Sequence, residues 1–330
     1  MPRGDRLCVV TGATGAVGPA VANRIAREAD GTVVALARHA AAPGVLAARV
    51  RFEPASLFDA RMLQWVREAD VVIHLAAQLH VNNPSPALRD EYRRTNVEAT
   101  RRLLDATRPD ARFVFSSTID VYGPTPPGAL ATEETVPQPR SLYGETKLEA
   151  EQIVLRHPGG VVLRLAAVYG PRMKANYARL VRALSRHRYV PVGPSRNVRT
   201  LVFEEDAGDA AWIVATAEAL PSRLYNLTDG QTHTLREIVA AICAALDRRP
   251  PRWSLPVSVV RGAAVLLDGA CRAMRRQSPV TPQMIDKLQE NVAVSGDRLQ
   301  RELGFTPRFD LGAGWREAVR SQATDEAPST

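Results

Sequence analysis

The sequence predicts an α/β protein: a doubly wound parallel sheet, followed by a smaller mixed α/β lobe. Three observations predict it. Through residue 170, short β-branched runs alternate with amphipathic stretches. Most of those runs are apolar without interruption, as strands buried on both faces are. The first run leads straight into a glycine-rich turn and then a helical pattern.

The strands are placed at Leu7–Thr11, Thr32–Leu36, Val50–Glu53, Val71–Leu75, Arg112–Ser116 and Val161–Ala166, with helices at Val17–Glu28, Ala60–Glu68, Asp90–Thr107 and Ser141–Arg156 between them. Beyond Gly170-Pro171 the regularity fades. A helix is expected at Tyr177–Ser185, extended segments at Val190–Val192, Thr200–Phe203 and Tyr225–Leu227, and a helix from Asp206, which is read as its cap. Thr234-x-x-Glu237 is a capping box for a helix at Leu235–Leu246, and Gly304 stops a helix at Asp297–Leu303. Val257–Leu267 is the most hydrophobic later stretch, bounded by Asp268 and far below spanning length; it reads as a packed helix. The division expected is 1–171 for the sheet domain, 172–321 for the smaller lobe with some segments returning to the sheet, and 322–330 for a disordered tail.

Apolar residues make up 45% of the 330-residue chain, which excludes global disorder. The net charge of +8 favours anionic partners, but the basic residues are scattered, so nucleic acid is not expected. Arg272, Arg275 and Arg276 leave contact with a membrane surface as a minority reading. Three separated cysteines in apolar surroundings, without metal-ligand spacing, fit free thiols in a reducing cytoplasm, and no metal is expected.

Thr11-Gly12-Ala13-Thr14-Gly15-Ala16-Val17-Gly18 joins the first strand to the first helix. Gly12 permits the tight turn, Gly15 lets a diphosphate approach the backbone, and Gly18 lets helix and sheet close up. Free N–H groups and the helix dipole then face the phosphates, with Thr14, Ala16 and Val17 in the loop. This is the Rossmann arrangement for a dinucleotide. The second strand ends in Ala37-Arg38, where an acid would read the ribose of NAD; Arg38 suits the 2′-phosphate and favours NADP(H) over NAD(H).

Tyr143 and Lys147 stand one helical turn apart and share a face. A free phenol keeps its proton to about pH 10, and a nearby ammonium lowers that value towards useful acid/base catalysis. The hydroxyls of Ser116, Ser117 and Thr118 end the fifth strand, at the crevice where such sheets hold ligands.

With these pieces in order, the chain resembles the extended short-chain dehydrogenase/reductase family, in its nucleotide-sugar epimerase, dehydratase and reductase branch. The likeness is carried by T-G-A-T-G-A-V-G at 11–18, V-I-H-L-A-A at 72–77, N-V-E-A-T at 96–100, F-S-S-T-I-D-V-Y-G at 115–123, Y-G-E-T-K at 143–147 and R-L-A-A-V-Y-G-P at 164–171. The resemblance implies Thr118 as the substrate-binding hydroxyl, Tyr143 as acid/base and Lys147 as its partner, with Ala76, Ala77 and Asn96 lining the cofactor site. It further implies Arg199 on the diphosphate of a nucleotide-sugar, Asn176 as a second substrate contact, and a homodimer built on the helices near 90–107 and 141–156. His74 reads as structural. The chain departs from the pattern twice. The third strand ends in Ala55-Ser56-Leu57 rather than an acid, leaving Ser56 and Leu57 for adenine. Ile119-Asp120 replaces the Asp-Glu pair of sugar 4,6-dehydratases, and isoleucine cannot donate a proton.

The function implied is an epimerase or ketoreductase of a nucleotide-sugar. A reductase or dehydrogenase of a hydrophobic alcohol or ketone is the alternative, and a non-catalytic cofactor sensor the third reading.

Overall fold

The computed structural model describes residues 6–78, 86–274, 276, 278 and 280–325. Among the described residues, eleven strands and twelve α-helices follow in chain order. They begin β1 (Leu7–Thr11), α1 (Gly18–Glu28), β2 (Thr32–Ala37), β3 (Val50–Pro54), α2 (Ala60–Glu68), β4 (Val71–His74) and α3 (Pro86–Arg93). A π-helical turn at Arg94–Glu98 runs into α4 (Ala99–Ala106), and β5 (Arg112–Thr118) ends in a 3-10 turn at Ile119–Tyr122. Then come α5 (Leu142–Val154), β6 (Gly160–Leu165), β7 (Ala167–Tyr169), α6 (Ala175–Ser185), β8 (Val198–Arg199), β9 (Leu201–Phe203), α7 (Glu204–Thr216) and β10 (Leu224–Leu227). The chain closes with β11 (His233–Thr234), α8 (Leu235–Ala245), α9 (Val257–Ala273), α10 (Pro282–Gln289), α11 (Asp297–Leu303) and α12 (Leu311–Asp325).

Seven strands form one parallel sheet in the order β10-β6-β5-β4-β1-β2-β3. Alternation along each strand sends side chains to two cores. Cys8 and Val10 pack with Val21 and Ile25 of α1 and Ala210 and Val214 of α7. Val9 packs on the other face with Met62 of α2, Leu103 of α4 and Val154 of α5. Strand order reverses between β1 and β4, so their carboxyl ends open a crevice, the usual ligand position in such sheets.

A third core, with Tyr169 stacked on Trp315 at 4.6 Å and joined by Ile238 and Ile242 of α8, lies outside the sheet. The chain nevertheless returns to the sheet, because β10 pairs with β6 and Tyr122 donates to Asn226 Oδ1 of β10 at 2.8 Å.

Several sequence expectations need correction here. Asp206 does not cap α7. It sits in the first turn, fully buried, and accepts from the N–H groups of Arg308 and Phe309 at 3.0 and 3.3 Å, fixing the approach to α12. Val190–Val192 forms only a single bridge, Val192 to Leu255. Helix α12 carries regular structure through Asp325 where a tail was expected from 322; residues 326–330 and Arg275 lie outside the described residues. Finally, α9 is not packed on all sides, since Val259, Val265, Leu266 and Leu267 are exposed. The capping box at Thr234/Glu237 and the left-handed Gly304 (φ 66°) stand as expected.

Candidate functional site

The crevice between β1 and β4 is a cavity of about 920 Å³ that reaches from the end of β2 to the start of α5. Gly12, with φ +70°, turns the chain out of β1; a Cβ there would lie 2.6 Å from the Ala76 nitrogen. A Cβ on Gly18 would lie 2.4 Å from the Gly12 carbonyl oxygen, so the loop closes only with glycine at both places. Gly15 meets nothing nearer than that same oxygen, at 3.1 Å, and faces the cavity. The first turn of α1 leaves N–H groups that the helix itself cannot pair, beside Thr14, Ala16 and Val17 in the wall.

Arg38, Ser56 and Leu57 line the far end, and Ala76 and Ala77 the floor, as the sequence implied. His39, Phe58 and Arg94 line it as well, the Arg94 guanidinium lying 4.7 Å from the Phe58 ring centre. Thr118, Tyr143 and Lys147 converge on the opposite end. Ser141 caps α5, accepting from the Gly144 N–H at 2.9 Å while its own hydroxyl donates to Asp120. That carboxylate therefore sets the start of the helix that carries Tyr143. Thr118 accepts from the Asp120 N–H at 3.2 Å, so its hydroxyl hydrogen is left to donate.

Lys147 is buried, donates to the Ser116 carbonyl at 2.5 Å and lies 4.3 Å from the Phe115 ring centre. Burial lowers its ammonium to about 7, against an upward pull from Glu151 one turn on. Glu151 in turn accepts from Ser117 and forms a buried ion pair with Arg164 of β6 at 2.6 Å. The Tyr143 phenol is pushed upward by burial and by Asp120 and Tyr92. This corrects one expectation: Lys147 does not lower Tyr143 here. Its nitrogen is 6.0 Å from the Tyr143 ring centre and turned to Ser116.

His74 is structural, and the hydrogen bonds fix its tautomer. Thr100 donates to the Asn96 carbonyl at 2.7 Å, so at 3.1 Å it must accept from His74 Nε2. His74 Nδ1 is then the acceptor for the Thr11 hydroxyl at 2.7 Å. Burial, with Lys147 adding to it, lowers the imidazole to about 3, so it stays neutral.

Three implied residues lie elsewhere than the cavity wall. Asn96 is buried behind it, in the π-helical turn; its Oδ1 accepts from the Gln78 N–H at 2.8 Å and its Nδ2 donates to Thr146 at 3.1 Å. It ties the loop after β4 to α5, holding the wall without lining it. Asn176 is exposed and accepts from Arg179 of its own helix at 2.6 Å. Arg199 closes on the end of α10, donating to the carbonyls of Glu290 and of Leu288, the latter at 3.3 Å. Lys174, just before α6, does line the cavity. No motif marks it; it follows β7, whose Val168 lines the same cavity.

Comparison with known proteins agrees with this geometry. Residues 8–228 match the NAD dependent epimerase/dehydratase family. The chain is 26% identical over 325 residues to a UDP-glucose 4-epimerase of Vibrio cholerae, covering 95% of this chain and 94% of the relative. It is 31% identical over 283 residues to a dTDP-glucose 4,6-dehydratase of Streptomyces griseus, covering 82% and 77%. Among solved structures, MoeE5 in complex with UDP-glucose and NAD superposes with a TM-score of 0.75 at 25% identity, covering 98% of this chain and 100% of that one. With its glycine loop, its Tyr143/Lys147 pair and a family match over more than half its length, the chain belongs to the NAD dependent epimerase/dehydratase family of extended short-chain dehydrogenase/reductase enzymes.

Proposed function

We propose that the protein interconverts a hydroxyl and a carbonyl on a nucleotide-sugar, as an epimerase or ketoreductase that uses NADP(H) in preference to NAD(H). The observation that carries this is the single cavity with a dinucleotide loop and Arg38 at one end and Thr118, Tyr143 and Lys147 at the other. The loop fits such a cofactor, because Gly15 opens onto the cavity and the start of α1 offers N–H groups to a diphosphate. Arg38 and His39, both exposed at the end of β2 and lining the cavity, suit a 2′-phosphate.

A bound nicotinamide would supply hydride exchange with the sugar carbon. Thr118 donates to the reacting sugar oxygen and holds it. As phenolate, Tyr143 would take the proton of the alcohol as hydride leaves the carbon, and as phenol it would return that proton to the oxygen as hydride is delivered to the carbonyl. Lys147, anchored on the Ser116 carbonyl, keeps its amine in the same wall, 6.0 Å from the Tyr143 ring centre. Lys174 is the cation in the wall for the sugar's diphosphate, in place of Arg199. Elimination of water is disfavoured, since Ile119 is buried in the core and Asp120 is engaged with Ser141.

The engagement of Arg199 with α10 favours one second reading, a hydrophobic alcohol or ketone without a diphosphate. Thermal denaturation with dinucleotides and UDP- or dTDP-sugars separates the two, because a ligand of the folded state alone raises stability by mass action. Stabilisation by NADPH and by a nucleoside diphosphate supports the nucleotide-sugar. Stabilisation by dinucleotide alone transfers the assignment to the hydrophobic substrate. Turnover then distinguishes an epimerase, which leaves its cofactor unchanged, from a reductase, which consumes NADPH.

A further inference from the structure

The hairpin of α9 and α10 is the most apolar surface of the molecule. Eight of the eleven large exposed apolar side chains among the described residues fall between Trp253 and Leu288. Within α9, Val257, Val260, Ala264, Asp268 and Cys271 follow the three-and-four spacing of one face and turn inward. The opposite face should be polar in a solvated helix. Instead, Val259, Ala263, Leu266 and Ala270 form its outward stripe, with Val259 60% and Leu266 76% exposed. A helix apolar on both faces has two partners, and only the inner one is present.

Charge identifies the outer partner. Residues 252–288 carry six arginines and lysines against two acids, a net +4. Both acids are already paired, Asp268 with Arg272 at 2.7 Å and Asp286 with Arg261 at 2.9 Å. Arg261 and Arg272, so paired, lie on the side of the helix turned away from the apolar stripe, which leaves the exposed Arg252 and Arg276, near its two ends, as cations for an outer partner. Two copies of so basic a surface would repel each other, whereas anionic headgroups would be attracted. No described helix is long and apolar enough to cross a membrane, and seventeen residues span only about 26 Å. Trp253, 66% exposed where the chain approaches α9, is the side chain suited to the boundary between headgroup and acyl chain. We propose that α9 lies flat on an anionic lipid surface, with Val259 and Leu266 in the acyl boundary and Arg252 and Arg276 among the headgroups. The inner side of the same hairpin receives Arg199 through Leu288 and Glu290, so docking would fix the smaller lobe against the bilayer.

The test is co-sedimentation of the full chain with phosphatidylcholine vesicles, with and without phosphatidylglycerol, alongside tryptophan emission. The protein is expected to sediment with the anionic vesicles and to lose that binding as salt is raised. Its emission should shift to the blue, and Trp253→Phe should remove the shift. Leu266→Glu, at a solvent-facing position, is expected to weaken vesicle binding about tenfold or more with an unchanged melting temperature. Val136→Glu, equally exposed elsewhere, should leave binding intact. Equal binding to both vesicle types, no binding to either, or full binding by Leu266→Glu each overturns the proposal. Self-association that Leu266→Glu abolishes, without vesicle binding, would assign the face to a second copy of the chain.

Discussion

Lys147 lies in the cavity wall and Arg199 outside it, and the chain holds the two side chains by different means. Lys147 is buried in the sheet domain, its amine on the Ser116 carbonyl, with Glu151 and Arg164 paired behind it. Every group in that chain is set by a strand or by a helix packed on the sheet. Arg199 extends instead from a two-residue strand to the carbonyls that end α10, in a hairpin whose outer face is exposed. The sheet wall is therefore fixed by buried electrostatics. Arg199 instead bridges the smaller lobe to a loosely covered element. Chemistry that needs geometry held to fractions of an ångström belongs on the sheet wall.

The largest test of this division is Tyr143→Phe. Turnover should fall by roughly 10²- to 10⁴-fold, the usual worth of a positioned acid/base, with melting temperature and dinucleotide binding retained. Activity within tenfold of the parent enzyme would remove the chemistry from the sheet wall.

Next comes stability. Glu151→Ala leaves the Arg164 guanidinium buried without its partner and should cost about 3–5 kcal/mol in denaturant unfolding. Arg199→Ala frees carbonyls at a helix end that water can reach, and about 1–3 kcal/mol is expected. Equal losses would erase the contrast between the two anchors.

A smaller effect is expected at the cofactor end. Arg38→Ala should weaken NADPH by about 1.5 kcal/mol, roughly tenfold in Kd, and leave NADH nearly unchanged. An equal loss for both dinucleotides would place Arg38 on a shared phosphate.

The subtlest test is titration. The buried Lys147 ammonium lies at about 7 when folded and 10.5 when free, so between those values the unfolded chain binds the extra proton. Stability from this group rises with pH across that window and is flat below it. Lys147→Met should flatten the rise. Glu204, buried beneath Gly170, behaves oppositely: burial raises it from 4.5 to about 7, so there the folded chain holds the extra proton. Stability from Glu204 falls as pH rises from 4.5 to 7, and Glu204→Gln should remove that fall. Melting temperatures of the three proteins across pH separate the two windows.

Much of the sheet domain was legible in advance. β1 and α2 begin and end at the expected residues, and β2, β3 and β4 differ by one residue at an end. The reason is local: continuous β-branched runs and glycine punctuation act over a few residues. The same holds for Gly12, Gly18, Tyr143 and Lys147, whose positions follow from a strand–turn–helix junction and a four-residue spacing. Asn96 and Lys174 were not legible in this way. The π-helical turn that buries Asn96 against Gln78 and Thr146 changes no hydrophobic period, and Lys174 reaches the cavity through β7.

The sequence by itself determined the parallel sheet, the glycine loop and the placing of Tyr143 and Lys147 one helical turn apart, because each is written in residues close along the chain. Only the tertiary structure decided which way the Lys147 amine points, that Arg199 closes on α10, and that α9 keeps an apolar face uncovered. Those outcomes depend on partners 31, 89 and 91 residues away and, for α9, on which faces the rest of the chain fails to reach. Burial and the direction of a long side chain are settled by what packs around them, and no spacing along the chain encodes that.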